Sequence, residues 1–195
     1  MSGVRLDVRS NMDRVVAEFA AERDELLNKA TYRALNRALD KSVTETSREI
    51  RKVYNVRDRA VKKAITKRRA NSMSLFARMT IEGARLGLIE FDARWHPGQR
   101  GGASVKIKVG GGRKTVLGAF IATMRYQEWR SGADVSYRGV FRRLGKSRLP
   151  IRFLRSISIP QAFANKAVLD AVQRLAVIEF DKTLEQQVRY LRGVI

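Results

Sequence analysis

From Met12 to Lys52 no proline or glycine interrupts the chain, and apolar residues recur at helical spacing. Val15, Val16, Phe19, Leu26, Leu27, Ala30, Leu35, Ala38 and Leu39 form one broad stripe, with Asp13, Arg14, Glu18, Glu22, Arg23 and Asp24 largely off it. That period predicts a long amphipathic helix. Its length exceeds the usual globular helix, so part of it is expected to pack against a partner, or to break once near Ser42 to Thr46.

A second helix is signalled by Asn55-Val56-Arg57-Asp58, where Asn55 can cap the free amides and Asp58 can answer three residues on. Ala60, Val61, Ala64 and Ile65 would continue it through Arg69, and Ala70 to Ile81 reads as a loop or short helix. Beyond this the period changes to two. Leu86, Leu88, Phe91 and the Arg94-Trp95 step suggest a strand, and Val105, Ile107 and Val109 alternate with Lys106 and Lys108. Gly110-Gly111-Gly112 then turns the chain into Arg113 to Leu117, with Phe120 and Ile121 continuing the strand or beginning a turn. Val135 to Phe141 and Leu149 to Ile157 are two further strand candidates. Ser158-Ile159-Pro160-Gln161 opens a last helix that carries Phe163, Val168, Leu175, Leu184 and Val188 and ends near Gly193.

The expected architecture is α+β: a small, mainly antiparallel sheet of three to five strands packed against long N-terminal and C-terminal helices. We read residues 1–195 as one domain, with a helical part over 1–69, a sheet part over 84–157 and a C-terminal helix over 158–193.

Charge is the second constraint. Forty Lys and Arg stand against nineteen Asp and Glu, a formal charge of +21 in 195 residues. Such an excess repels itself unless an anionic neighbour offsets it: nucleic acid, an anionic membrane surface or an acidic protein face. The chain has no cysteine, which excludes disulfides, thiolate metal sites and a Cys nucleophile, and its one histidine, His96, cannot make a His cluster. No apolar run approaches the roughly 20 residues needed to span a bilayer, and the first residues lack a signal-peptide core.

The candidate sites follow from these limits. His96, in Trp95-His96-Pro97-Gly98, reads as a turn residue more readily than as a catalyst. Gly110 to Gly112 lacks the following helix of a phosphate loop and reads as a hairpin turn, with an anion-contacting tip as the alternative. Glu90, Asp92 and Asp134 are the minimum for a metal-dependent nuclease, although ordinary ion pairing explains Glu90 and Asp92 better. Two basic tracts carry more weight. Arg48 to Arg69 holds ten basic residues against Glu49 and Asp58, and Arg138 to Arg155 holds seven with no acid between Val135 and Leu169. Solvated faces account for some of these charges, but not for both tracts. The residues expected to meet DNA or another anionic partner are Arg57, Lys62, Lys63, Lys67, Arg68 and Arg69 in the first tract, and Arg138, Arg142, Arg143, Lys146 and Arg148 in the second. No zinc-finger spacing, basic zipper or RNP-like strand pair is present, so any DNA contact is expected through phosphates without sequence readout.

Several short stretches, in order, resemble one family. They are Ala34-Leu35-Asn36-Arg37-Ala38, Ser42 to Glu49 running into Arg57 to Ala64, Ala103 to Lys114, Gly118-Ala119-Phe120-Ile121, Leu149-Pro150-Ile151 and Ser158 to Phe163. Together they span most of Asn28 to Phe163 and resemble the minor tail protein Z family of long-tailed bacteriophages and prophages, the tail completion proteins. The resemblance implies a structural role at the head-proximal end of a tail, in a ring of subunits, commonly hexameric, around the DNA channel. It implies tail tube or tail terminator proteins as neighbours, a place in the virion after assembly in the host cytoplasm, and no membrane. It carries over no catalytic residue and no cofactor. A free, non-sequence-specific DNA-binding accessory protein is the alternative that the charge alone would allow.

Overall fold

The computed structural model describes residues 4–7, 24–97, 101–127, 134–191 and 193. The expected helix over Met12 to Arg23, with Val15, Val16 and Phe19, lies outside the described residues, as does Gly98. The chain forms two compact units, one from Met1–Ile50, Val61–Gly83 and Pro160–Ile195, the other from Arg51–Ala60 and Ala84–Ile159.

In the first unit, helix α1 (Asp24–Val53, through Ile50) carries its alanines at intervals of four. Ala30, Ala34 and Ala38 are buried against Phe180 and Leu184 of the C-terminal helix α4 (Lys166–Leu191). The small side chains leave room for the large ones, and Leu35, Val188 and Leu191 flank the contact. No break occurs near Ser42 to Thr46, the alternative that the length of the helix suggested. Ser42 Oγ donates to the Ala38 carbonyl at 2.8 Å and Thr46 Oγ1 to the Ser42 carbonyl at 2.8 Å, so these buried hydroxyls are satisfied within the helix itself.

Helix α2 (Asp58–Lys63) is far shorter than its periodicity predicts. Asn55 does not cap it: its amide nitrogen donates to the Lys106 carbonyl at 3.1 Å, and its backbone N–H to the Ile107 carbonyl at 2.8 Å. After Lys63 the chain becomes strand β2 (Ile65–Arg68), which pairs with β3 (Arg78–Ile81), and β1 (Val4–Asp7) pairs with the other side of β3. Strand pairing, begun by the Glu82 N–H on the Ala64 carbonyl at 2.9 Å, overrides the helical spacing, and β-branched Ile65 and Thr66 favour it. The segment expected as a loop or short helix thus contains the central strand of this sheet. Asn36 clips the helix to the sheet's far end, accepting from the Ala70 N–H and donating to the Ala70 carbonyl, both at 2.9 Å.

The C-terminal helix is broken once. Helix α3 (Ile159–Phe163) stops, and the Asn165 side chain accepts the Ala167 N–H at 3.1 Å to start α4.

The second unit holds two antiparallel three-stranded sheets. One has the order β4 (Arg94–His96), β5 (Gly102–Val105), β6 (Lys114–Leu117); the other has β7 (Ala119–Gln127), β8 (Asp134–Arg143), β9 (Ile151–Phe153). Leu88, Ala103, Val105, Ala119 and Val140 bury one core between them. The strand expected over Leu86 to Phe91 is a 3-10 helix (Leu88–Phe91), ended by Asp92 with φ of 50°. The alternation at Val105 to Val109 stays in the sheet only as far as Val105. Beyond it the Val109 N–H donates to the Val53 carbonyl at 3.0 Å and Lys108 bridges to Tyr54, so that segment pairs with the end of α1 instead. Gly118, with φ of +69°, separates β6 from β7, so Phe120 and Ile121 belong to a strand of the other sheet.

The α+β class therefore holds, with antiparallel sheets and long terminal helices. Among the described residues, three small sheets replace the single sheet expected from the sequence.

Candidate polyanion-facing surface

The two basic tracts meet different fates. The first is divided: Arg57 belongs to the second unit, while Lys62, Lys63, Lys67, Arg68 and Arg69 belong to the first. Lys67 and Arg69, two residues apart at the end of β2, turn to the same side and share one carboxylate. Lys67 Nζ lies 2.8 Å from Asp40 Oδ1, and Arg69 Nη2 lies 2.8 Å from Asp40 Oδ2. Partial burial pushes the Asp40 carboxyl upward, but hydrogen bonds and charge from Lys67 and Arg69 outweigh it and hold the group below the ordinary aspartate value. Lys67 and Arg69, both expected to meet an outside anion, are thus already engaged by an internal one. Arg68 is exposed on the other side of the strand, and Arg57, Lys62 and Lys63 are exposed as well.

The second tract stays together. Arg138, Arg142 and Arg143 stand on β8, and Lys146 and Arg148 on the exposed loop 144–150. The Leu144 N–H donates to the Pro150 carbonyl at 3.1 Å and closes the neck of that loop. Arg138 and Arg142 flank Val140, which is fully buried, so the pleat anchors the strand through valine and leaves both guanidiniums at the rim of the core.

Strand pairing adds two arginines to the contacts expected from the sequence. Arg152 of β9 lies directly opposite Arg142, and Arg155 follows. On the other face Arg143 sits 5.8 Å from the Phe120 ring centroid and Arg155 5.3 Å from that of Phe153, which organises both guanidiniums over aromatic rings without neutralising them. Among the described residues, no carboxylate forms an ion pair with any of the seven basic residues from Arg138 to Arg155.

The nuclease candidates are not brought together. Glu90 lies in the 3-10 helix, not on a strand beside Asp92. Asp92 is held by Arg113 at 2.6 Å and by Arg94 at 3.2 Å, and the hydrogen bond from Arg113, opposed by slight burial and aided by Arg94, lowers its carboxyl below the ordinary value. Asp134 opens β8, and among the described residues no group of three or more His, Asp or Glu is placed to hold a metal ion. His96 Nε2 lies 2.7 Å from Ser104 Oγ, which also receives Arg113 Nε at 3.4 Å. This polar chain ties β4 to β5 and to the Arg113 turn. Gly110 to Gly112 turn the chain between β5 and β6, as expected, with the Gly111 N–H on the Lys108 carbonyl at 3.2 Å.

Among the described residues no helix is long and apolar enough to cross a membrane. Comparison with curated proteins and with solved structures finds no significant match. The family described as prophage minor tail protein Z (GPZ) matches residues 12–195, extending the resemblance of the short motifs through both terminal helices. A chain with this charge, this fold and that match over nearly its whole length belongs to the prophage minor tail protein Z family.

Proposed function

We propose that this minor tail protein completes the head-proximal end of a phage tail as one subunit of a ring around the DNA channel, with its second unit toward the DNA. One observation carries the reading. The second unit contains twenty Lys and Arg against five Asp and Glu, and its longest basic tract has no carboxylate partner among the described residues. The first unit divides its charges twenty to fourteen and pairs part of its own excess internally through Asp40.

A channel lined by such units would hold duplex DNA by its phosphates and leave it free to slide, since phosphate contacts carry no sequence information. The proposed ring is of identical copies, hexameric by the family resemblance, seated on tail tube or tail terminator proteins. The outer parts of each copy would then face protein, where unbalanced charge is a cost.

Three measurements test this. Mass analysis of completed tails should find the chain as a stoichiometric component, and image reconstruction of the tail's upper end should place the β8–β9 arginines toward the bore. Titration of duplex DNA should show a salt slope approaching about −6 if all seven tract residues meet phosphates. Binding to duplex by a chain absent from completed tails would favour the free accessory protein instead.

A further inference from the structure

Strands β4 and β7 each end their own sheet, and between them lies a cleft of about 500 Å³. Arg94 and Trp95 stand on one wall, Ile121 and Thr123 on the other, and Arg138 reaches in from β8 directly opposite Thr123. We propose that this cleft holds one unstacked nucleotide of a nucleic-acid strand, its base against the Trp95 indole and its phosphate between Arg94 and Arg138. The proposal rests on the reading of the second unit as the nucleic-acid-facing one.

The wall chemistry favours that ligand. The volume lies within the range of small-ligand sites, about 300–1,000 Å³. Trp95 is 57% exposed, and an indole left in water beside guanidiniums offers a flat apolar face with cationic rims, the pairing that single-stranded nucleic acid uses. Ala93 and Ala122 complete the lining, and neither carries a side chain large enough to fill the cleft.

Charge availability favours it too. Arg138 has no carboxylate partner among the described residues. Arg94 has Asp92 at 3.2 Å, but Arg113 holds the same oxygen at 2.6 Å and also donates to the Asp92 backbone carbonyl. Asp92 stays satisfied if Arg94 turns toward a phosphate, so recruiting it costs little. Stacking needs a base face, and a closed duplex hides those faces inside the helix. The occupant is therefore an unpaired stretch or a frayed end, while duplex is left to the surface around Arg142 and Arg152.

The test compares an oligo-dT strand with a hairpin duplex, both dye-labelled, on the full chain and on Trp95→Ala, Trp95→Phe and Arg138→Gln. Base stacking removed by alanine should weaken oligo-dT binding by between about five- and a hundred-fold, with Trp95→Phe retaining most of the affinity and duplex binding unchanged within about two-fold. In a Trp129→Phe background, oligo-dT should also quench the one remaining tryptophan. Equal losses on duplex and single strand in Trp95→Ala, no loss on either, or displacement by a polyglutamate peptide but not by oligo-dT would each overturn the cleft assignment. If wild type binds duplex with the expected salt slope while Trp95→Ala binds oligo-dT as tightly as wild type does, only the cleft falls. If wild type binds neither nucleic acid, the cleft and the DNA-facing reading fall together.

Discussion

The antiparallel register places Arg142 of β8 directly opposite Arg152 of β9, and both are exposed. Opposed residues have Cβ atoms about 4.5–5.5 Å apart, and like charges there oppose sheet formation. If the long side chains splay until the guanidiniums are about 8 Å apart, Coulomb repulsion is about 0.5–1 kcal/mol at an effective dielectric of about 40–80. Arg152→Gln removes this repulsion, and Arg152→Glu replaces it with an attraction of about 0.2–1 kcal/mol. Stability should therefore rise from wild type to Gln to Glu. For a chain of this size about 1 kcal/mol corresponds to about 2–4 °C in melting temperature, so the Gln variant should gain about 1–4 °C. Thermal melts at low salt and at about 1 M salt, where the screening length is about 3 Å, separate charge from packing: the gain should collapse at high salt. A Gln variant that melts lower than wild type at low salt, or keeps its gain at high salt, refutes the argument. The same substitution should weaken duplex binding and reduce the magnitude of its salt slope by about 0.9, which would link the stability cost to the proposed DNA partner.

Three other substitutions probe the frame around this surface. Phe180→Ala empties the contact with the α1 alanines and should cost about 3–5 kcal/mol, read by chemical denaturation; a loss below about 1 kcal/mol would mean that the helices do not depend on it. Gly139→Ala brings a Cβ to 2.7 Å from Phe153 and 3.0 Å from Tyr137, so it should displace their edge-to-face pair and cost about 1–3 kcal/mol, with a changed near-UV circular dichroism signal as the check. Because the Asp40 carboxyl is lowered in the folded chain, its contribution is fully present above the unfolded aspartate value of about 3.9 and is lost as pH falls through the folded value. Asp40→Asn should flatten that part of the acid limb of the stability curve by less than about 1 kcal/mol, since the pair is half-exposed; an unchanged limb would show that Lys67 and Arg69 do not hold it.

Helical periodicity is legible where the tertiary contacts reinforce it. The alanines at 30, 34 and 38 and the run from Lys166 to Leu191 keep their faces because each buries against the other. It misleads at Ala64 and Ile65, where the spacing suits a helix and the β-branched Ile65 and Thr66 lean only weakly toward a strand, so the hydrogen bonds available from β3 decide. Asn55 and Asn165 illustrate the same limit. Both are good caps by chemistry, yet Asn55 is consumed by the Lys106 carbonyl and Asn165 does the capping, so partner availability decides. Of the candidate site, the charge run from Arg138 to Arg148 is legible as composition. The Arg142–Arg152 opposition and the cleft between β4 and β7 depend on register and sheet order, which no local pattern contains.

The distribution of charge bears on why both units persist in one chain. In the first unit the carboxylates are placed where bases need them: Asp40 beneath Lys67 and Arg69, and Glu45 at 3.2 Å from Arg48 one helical turn on. In the second, Asp92 serves two arginines and Asp58 lies 3.9 Å from Arg51, yet no acid falls between Asp134, which opens β8, and Asp170. Solubility does not demand this, because a modest net charge is enough for it and mixed signs serve as well. Repulsion within so small a sheet also works against its own folding. Opposed arginines at Arg142 and Arg152 intensify that repulsion at the position where a single acidic side chain would relieve it. Under the proposed function, phosphates would complete this surface, and the better-balanced helical unit would be left to meet protein.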